Sequence, residues 1–213
     1  MASYTVAPHL EYFNTPLASF TAARPEFESF GVGAYIFSHD GASPLRILLL
    51  QRSLTDSMGG FWEGPGGAYE PGVDETLLDG VVREVLEETG LHVSRIVELV
   101  AVDGWTHQRR NGAHICIAKY SFIVEVHEVT RSSPQGEPQS VTWGDIPVRL
   151  EASEHQAFEW ATEADVRHSV QSDQGRYQFP LPFVGHQAPN ILRAFELWTE
   201  HQNRTPQHGV IHV

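Results

Sequence analysis

Three glutamates, Glu84, Glu87 and Glu88, stand in the run Arg83-Glu84-Val85-Leu86-Glu87-Glu88-Thr89-Gly90-Leu91, and their spacing suits a divalent metal ion. On a helix advancing about 100° per residue, Glu88 falls about 40° to one side of Glu84 and Glu87 about 60° to the other, so the carboxylates share a face. Leu78, Val82, Val85 and Thr89 gather on the far side with Leu86 beside them, which separates a core face from an acidic one. Glutamates three and four residues apart repel in water by about a few tenths of a kcal/mol per pair. Mg²⁺ or Mn²⁺, which accept hard oxygen ligands, reverses that cost. The helix alone would also read as a solvated charge face. Gly66-Gly67 ahead of it favours the metal reading, because backbone without a Cβ lets a ligand come close.

The rest of the chain must position these groups. Asp74 is expected to cap a helix beginning near Glu75, and Gly90 to end it. Arg83 lies about 100° from Glu84 and Glu75 about 180° from it, so a Glu75–Arg83 pair is expected to tie the helix to its incoming loop. Strands are predicted over residues 32–37 and 46–52, the continuous leucine run of the second implying cover on both faces. Phe61-Trp62-Glu63 leads into a tight bend at Gly64-Pro65-Gly66-Gly67. A strand over 92–102 follows, then a long or bulged one over 113–126. Residues 132–144 read as a surface loop and Phe158-Glu159-Trp160 as a short strand, with Thr162 capping a helix around 163–166. Ile191, Leu192, Phe195 and Trp198 have the spacing of an amphipathic helix over 190–202. The first 28 residues are aromatic and turn-rich, and are expected to wrap the domain. Strands alternating with two or three separated helices indicate an α/β or α+β sandwich.

From Glu75 to Leu91 the chain resembles the Nudix box: Gly, five residues, Glu, seven residues, Arg-Glu, an aliphatic residue, any residue, Glu-Glu, any residue, Gly and an aliphatic residue. The first half departs, because Gly67 stands eight residues before Glu75 where the pattern has six; two residues are inserted around Glu70-Pro71-Gly72-Val73-Asp74. The segments Ile47-Leu48-Leu49-Leu50-Gln51-Arg52, Phe61-Trp62-Glu63-Gly64-Pro65-Gly66-Gly67 and Glu154-His155 through Trp160-Ala161-Thr162-Glu163 add a weaker likeness. The resemblance implies a Nudix fold, with a mixed β-sheet between helices, an N-terminal wrap and a C-terminal helix. It divides the chain into an extension over 1–28, a hydrolase domain over 29–170 and a helical extension of the same domain over 171–213. It also implies metal-dependent hydrolysis of a diphosphate in a nucleoside diphosphate linked to another moiety, such as ADP-ribose-like compounds, by water attack at phosphorus. Mg²⁺ or Mn²⁺ would be held by Glu84, Glu87, Glu88 and the Gly67 carbonyl. The water proton would go to a box glutamate, Glu84 or Glu87, or to a downstream one; of Glu151, Glu154 and Glu159, Glu154 is preferred for its place just ahead of the 158–160 strand.

Substrate selection is fainter. Arg52 at a strand end, and His107, Arg109 and Arg110 in Trp105-Thr106-His107-Gln108-Arg109-Arg110-Asn111, are candidates for phosphate or base contacts, with an ordinary hairpin turn as the plainer reading of the second group. The aromatic tail around Tyr177, Phe179 and Phe183 has a pocket lid, a homodimer interface or, most simply, core packing open to it. Net charge is −13, from 14 basic and 27 acidic residues with Lys119 the only lysine, which argues against duplex nucleic acid as a partner. A small-molecule diphosphate is the expected partner, and metal and local arginines must overcome the global repulsion. Cys116, the single cysteine, lies in an apolar run and is expected to be a buried thiol, not a nucleophile. No apolar run is long enough to span a bilayer and no secretory signal is visible, so a cytoplasmic location is expected. Two further classes are weighed: a noncatalytic ligand-binding or regulatory protein, and a diphosphate isomerase on the same fold.

Overall fold

Apolar residues run without interruption through the central strands because those strands are covered on both faces. The structure is a computed structural model that describes residues 3–38, 40, 44–55, 58–109, 112–132, 138–172, 175–180 and 186–204. In chain order its main elements are β1 (Thr5–Val6), α1 (Leu17–Ala22), β2 (Ser29–Ser38), β3 (Arg46–Arg52), β4 (Trp62–Glu63), α2 (Leu77–Thr89), β5 (Val93–Gln108), β6 (His114–Val126), β7 (Thr130–Ser132), β8 (Pro138–Ser140), β9 (His155–Thr162), α3 (Glu163–Gln171) and α4 (Gln187–Arg204). The main sheet has the order β1-β5-β6-β2-β3-β4, with β9 also paired to β3. β1 runs parallel to β5 and β2 parallel to β6, while the β5–β6, β2–β3, β3–β4 and β3–β9 pairs are antiparallel.

Alternation along each strand builds two cores. Val32, Ala34 and Ile36 of β2 and Leu48 and Leu50 of β3 meet Leu78, Val81, Val82 and Val85 of α2, together with Leu10 and Phe20 from the N-terminal segment. On the other face Tyr35, Phe37, Ile47 and Leu49 meet Val166 of α3 and Ile191, Ala194, Phe195 and Trp198 of α4. The mixed sheet is thus sandwiched between helices, as the resemblance implied. Among the described residues, no helix is long and apolar enough to cross a membrane.

Several local expectations need correction. α2 starts at Leu77, capped by Thr76, whose hydroxyl accepts from the Asp79 N–H while the Asp79 carboxylate accepts from the Thr76 N–H. Asp74 is not the cap; its carboxylate is turned to Arg83 and to the Glu70 N–H instead. Gly90 does end the helix, in the left-handed conformation. Leu86 is exposed, so the core face stops at Val82, Val85 and Thr89. β5 continues through Gln108, six residues past its expected end, because Trp105 to Gln108 pair with β6 and the turn lies beyond them. Part of the expected 132–144 loop is β8, paired with β7. Cys116 is half-buried, its strand position being less enclosed than its apolar neighbours suggested. The tail around Tyr177 packs into the second core, where Tyr177 meets Trp62 edge-on; Phe183 lies outside the described residues.

Candidate functional site

The glycine strap after β4 lies flush on β2 and brings backbone against the acids of α2. The Ala34 N–H donates to the Pro65 carbonyl at 2.8 Å and the Val32 N–H to the Gly67 carbonyl at 2.9 Å. Gly66 has φ 150°, and a Cβ there would collide with the Val32 carbonyl, so no other residue fits the strap at this point. The Gly66 N–H donates to Glu88 Oε2 at 2.7 Å. A Cβ on Gly67 would fall 2.7 Å from Glu84 Oε1, which shows how closely the strap backbone approaches that carboxylate.

Glu84 and Glu88 are both buried, while Glu87 is exposed. Their placement on one helix face follows the predicted wheel, but the strap covers most of that face. Burial pushes the Glu88 carboxyl up to about 9; the Gly66 N–H opposes this, Glu84 and Glu63 add to it, and Lys119 opposes it. Burial also raises Glu84, against the pull of the Arg83 guanidinium. A buried acid that holds its proton in the metal-free protein is one that a cation can displace.

Arg83 is fixed by Asp74, not by Glu75. Its Nε and Nη2 donate to the two Asp74 oxygens at 3.0 and 3.1 Å, Nη1 to Glu84 at 2.8 Å and Glu87 at 3.0 Å, and Nη2 to the Ala68 carbonyl at 2.9 Å. Glu75 is exposed, and its backbone carbonyl accepts from Leu17. Asp74, one residue earlier, lies under the guanidinium in its place. With its donors so committed, Arg83 orients the helix and two of its carboxylates.

Of the downstream glutamates, Glu154 comes to the site. Donor atoms of Glu88, Glu154 and His155 all lie within 4.8 Å of one another, with Glu154 exposed and His155 buried. Glu151 accepts from the Ser153 hydroxyl and N–H, and Glu159 is held by Arg176 and Tyr177. Arg52 is on the same face, bonded to the buried Glu63. Burial works to raise Glu63, and the nearby His155 imidazole, Lys119 and Arg52 outweigh it and hold the carboxyl below its ordinary value. His107 and Arg109 are exposed at the β5–β6 hairpin, where the Arg109 N–H donates to the Ala113 carbonyl; the structure gives them no contact with the carboxylates. Arg110 lies outside the described residues.

Four contributors escaped the sequence reading: Glu63, Asp74, Lys119 and His155. Glu63 was legible in principle, since a strand that buries Trp62 on one face turns the next residue to the other. A sole lysine inside an apolar strand was also a signal, and Gly33 leaves room for it, since a Cβ there would press on Lys119 Cε at 2.9 Å. The donor set fits a divalent cation: hard carboxylates against the strap backbone, and a buried imidazole whose ring nitrogens have, among the described residues, no hydrogen-bond partner.

The NUDIX domain profile matches residues 29–179, most of the chain. The chain belongs to the Nudix family. A "MutT-like protein" of Streptomyces ambofaciens is 41% identical over 81 residues, covering 38% of this chain and 46% of that one. An "8-oxo-dGTP diphosphatase" of Proteus vulgaris is 41% identical over 59 residues, covering 27% of this chain and 51% of that one. The chain therefore spans about half the length of these curated relatives. The NUDIX domain of Shewanella oneidensis NrtR, solved with ADP ribose, shares the fold with a TM-score of 0.53 at 21% identity, covering 84% of this chain and 97% of that one. In this Nudix chain Glu88 of the box meets the strap on one side and the downstream Glu154 on the other, between α2 and the start of β9.

Proposed function

We propose that the protein hydrolyses a diphosphate linkage in a small molecule, a nucleoside diphosphate joined to another moiety, with Mg²⁺ or Mn²⁺ as cofactor. The observation that carries this reading is the burial of Glu84 and Glu88 side by side against the Gly66-Gly67 strap, with Glu154 reaching the same space. Glu84, Glu88, the exposed Glu87 and the Gly67 carbonyl would hold the cation. A cation bound there would supply charge neutralisation for the phosphate and ease ionisation of a water. Glu154, exposed beside the buried acids, takes the water proton, a role for which a carboxylate wholly committed to metal is poorly suited. Arg83 keeps Glu84 and Glu87 in register through its anchorage on Asp74. Arg52 and Lys119 supply local positive charge against a chain of net charge −13.

The nucleotide substrate class draws support from two similar proteins, one solved with ADP ribose and one named for 8-oxo-dGTP, both nucleoside compounds with a phosphoanhydride linkage. A panel of nucleoside diphosphate sugars, dinucleoside polyphosphates and oxidised nucleoside triphosphates, assayed with Mg²⁺ or Mn²⁺ and resolved by mass, tests the reading. Cleavage of a diphosphate that stops on chelation is expected, with ¹⁸O from water in one phosphate product. Equal turnover with and without divalent metal overturns it. Tight binding without cleavage indicates a regulatory protein, and product that retains its diphosphate an isomerase. Glu154→Gln is expected to lower kcat by about 10²–10⁴-fold with little change in KM.

A further inference from the structure

His155 is the least expected member of the site. It opens β9, and strict alternation along that strand would place it with Ala157 on the face toward α4. The register prevents this: Gln51 pairs with Ala157 but Arg52 with His155, so the strand carries an extra residue, Gln156, at a bulge. A bulge re-aims the side chain beside it. His155 accordingly joins Arg52 and Glu63 on the α2 face, only 2% exposed. Among the described residues, neither ring nitrogen has a partner within hydrogen-bond distance. Burying both without a hydrogen bond costs free energy that a purely structural imidazole would not recover.

Both nitrogens nonetheless point at carboxylates. Nδ1 lies 3.9 Å from Glu88 Oε1 and Nε2 lies 3.8 Å from Glu63 Oε1. Donors that share one ion at bonds of about 2.0–2.2 Å stand roughly 3–4 Å apart, so one ion is within reach of both atoms of the first pair. The second resembles the approach of an outer carboxylate that fixes the tautomer of a ligating imidazole. Glu63 is suited to that part, because Arg52 holds it in place.

We propose that His155 Nδ1 is a nitrogen ligand to a divalent ion shared with Glu88, oriented through Nε2–H by Glu63. Resting on the metal-dependent reading above, the inference adds a selectivity: imidazole suits Mn²⁺ and later transition ions better than Mg²⁺, which keeps to oxygen donors. This chain is therefore a site of mixed nitrogen and oxygen character that favours Mn²⁺ over Mg²⁺.

Pulsed electron paramagnetic resonance on the full chain loaded with one equivalent of Mn²⁺ reads the ligand directly. Wild type is expected to show ¹⁴N modulation from a bound imidazole, replaced by the ¹⁵N pattern when the protein is made with ¹⁵N-histidine. His155→Gln, which keeps a polar side chain of similar reach, is expected to lose the modulation. By calorimetric titration the same change lowers Mn²⁺ affinity by about 10–100-fold, at least what loss of an outer partner costs, and Mg²⁺ affinity far less. Absence of nitrogen modulation in the wild type overturns the inference, as does modulation that persists in a folded His155→Gln protein. If that variant does not fold, the ¹⁴N-to-¹⁵N comparison in the wild type decides alone, and a pattern that labelled histidine leaves unchanged counts against the inference. The two readings fail separately: diphosphate cleavage without nitrogen ligation removes only the inference, and nitrogen ligation in a protein that cleaves no diphosphate removes only the proposed reaction.

Discussion

Glu88 shows how one residue couples the site to the stability of the whole protein. Its carboxyl is pushed up to about 9 in the folded, metal-free chain, first by burial and then by Glu84 and Glu63. An unfolded glutamate titrates near about 4.3. Because the folded value is the higher, the folded state binds more protons between the two, and the contribution of Glu88 is full below the unfolded value and lost as pH rises through the folded one. Chelator-treated protein is thus expected to melt at progressively lower temperature from about pH 5 to about pH 9, and Glu88→Gln to flatten that decline. Glu63 works in the opposite sense, its stabilisation present above the unfolded carboxylate value and lost at lower pH, so the two windows do not overlap. Melting curves across pH with excess chelator check this; an unchanged slope in the variant would mean that another group carries it. Metal should abolish the decline in wild type by taking the place of the proton.

At the scale of elements, α2 depends on the loop that delivers it. Asp74 has no exposed side-chain surface and Arg83 is about as enclosed, 0% against 10%, so this is a buried pair. Asp74→Ala removes two of the bonds to Arg83, which keeps Glu84 and Glu87, and the acceptor of the Glu70 N–H, and is expected to cost about 1–3 kcal/mol in urea unfolding. Glu75→Ala should stay within about 0.5 kcal/mol, as for other surface changes. Equal losses would restore the Glu75 pairing that the sequence suggested. That pairing was a reasonable reading of the box, but spacing alone does not say which of two adjacent acids meets the guanidinium. The helices and central strands were legible because their apolar periods are strong: Leu78, Val82 and Val85 on α2, the leucines of β3, and Ile191, Phe195 and Trp198 on α4. Glu84 and Glu154 were legible from residue type and the family likeness. His155 was not, because the bulge that turns it inward is a property of pairing between β3 and β9 and leaves no mark on either segment alone.

Across the whole molecule, the N-terminal residues stand outside the matched NUDIX domain yet touch the helix that carries its chemistry. The Leu17 N–H donates to the Glu75 carbonyl at 2.8 Å, and the Tyr4 hydroxyl donates at 2.8 Å to Asp79, the acid of the α2 capping box. Phe20 is 1% exposed, edge-on to Phe30 and Tyr120, with the Arg24 guanidinium 3.8 Å above its ring. A segment so placed shares the first core with α2 and β2, and should unfold with them as one cooperative unit. Phe20→Ala is expected to cost about 3–5 kcal/mol, the range for an aromatic side chain deleted from a packed core. Fluorescence and circular dichroism should report a single urea transition, shifted as a whole to lower denaturant. Two separated transitions, with the tryptophans insensitive to the substitution, would make residues 1–28 an appendage. One coincident transition makes them part of what holds α2, and hence Glu84 and Glu88, against the strap.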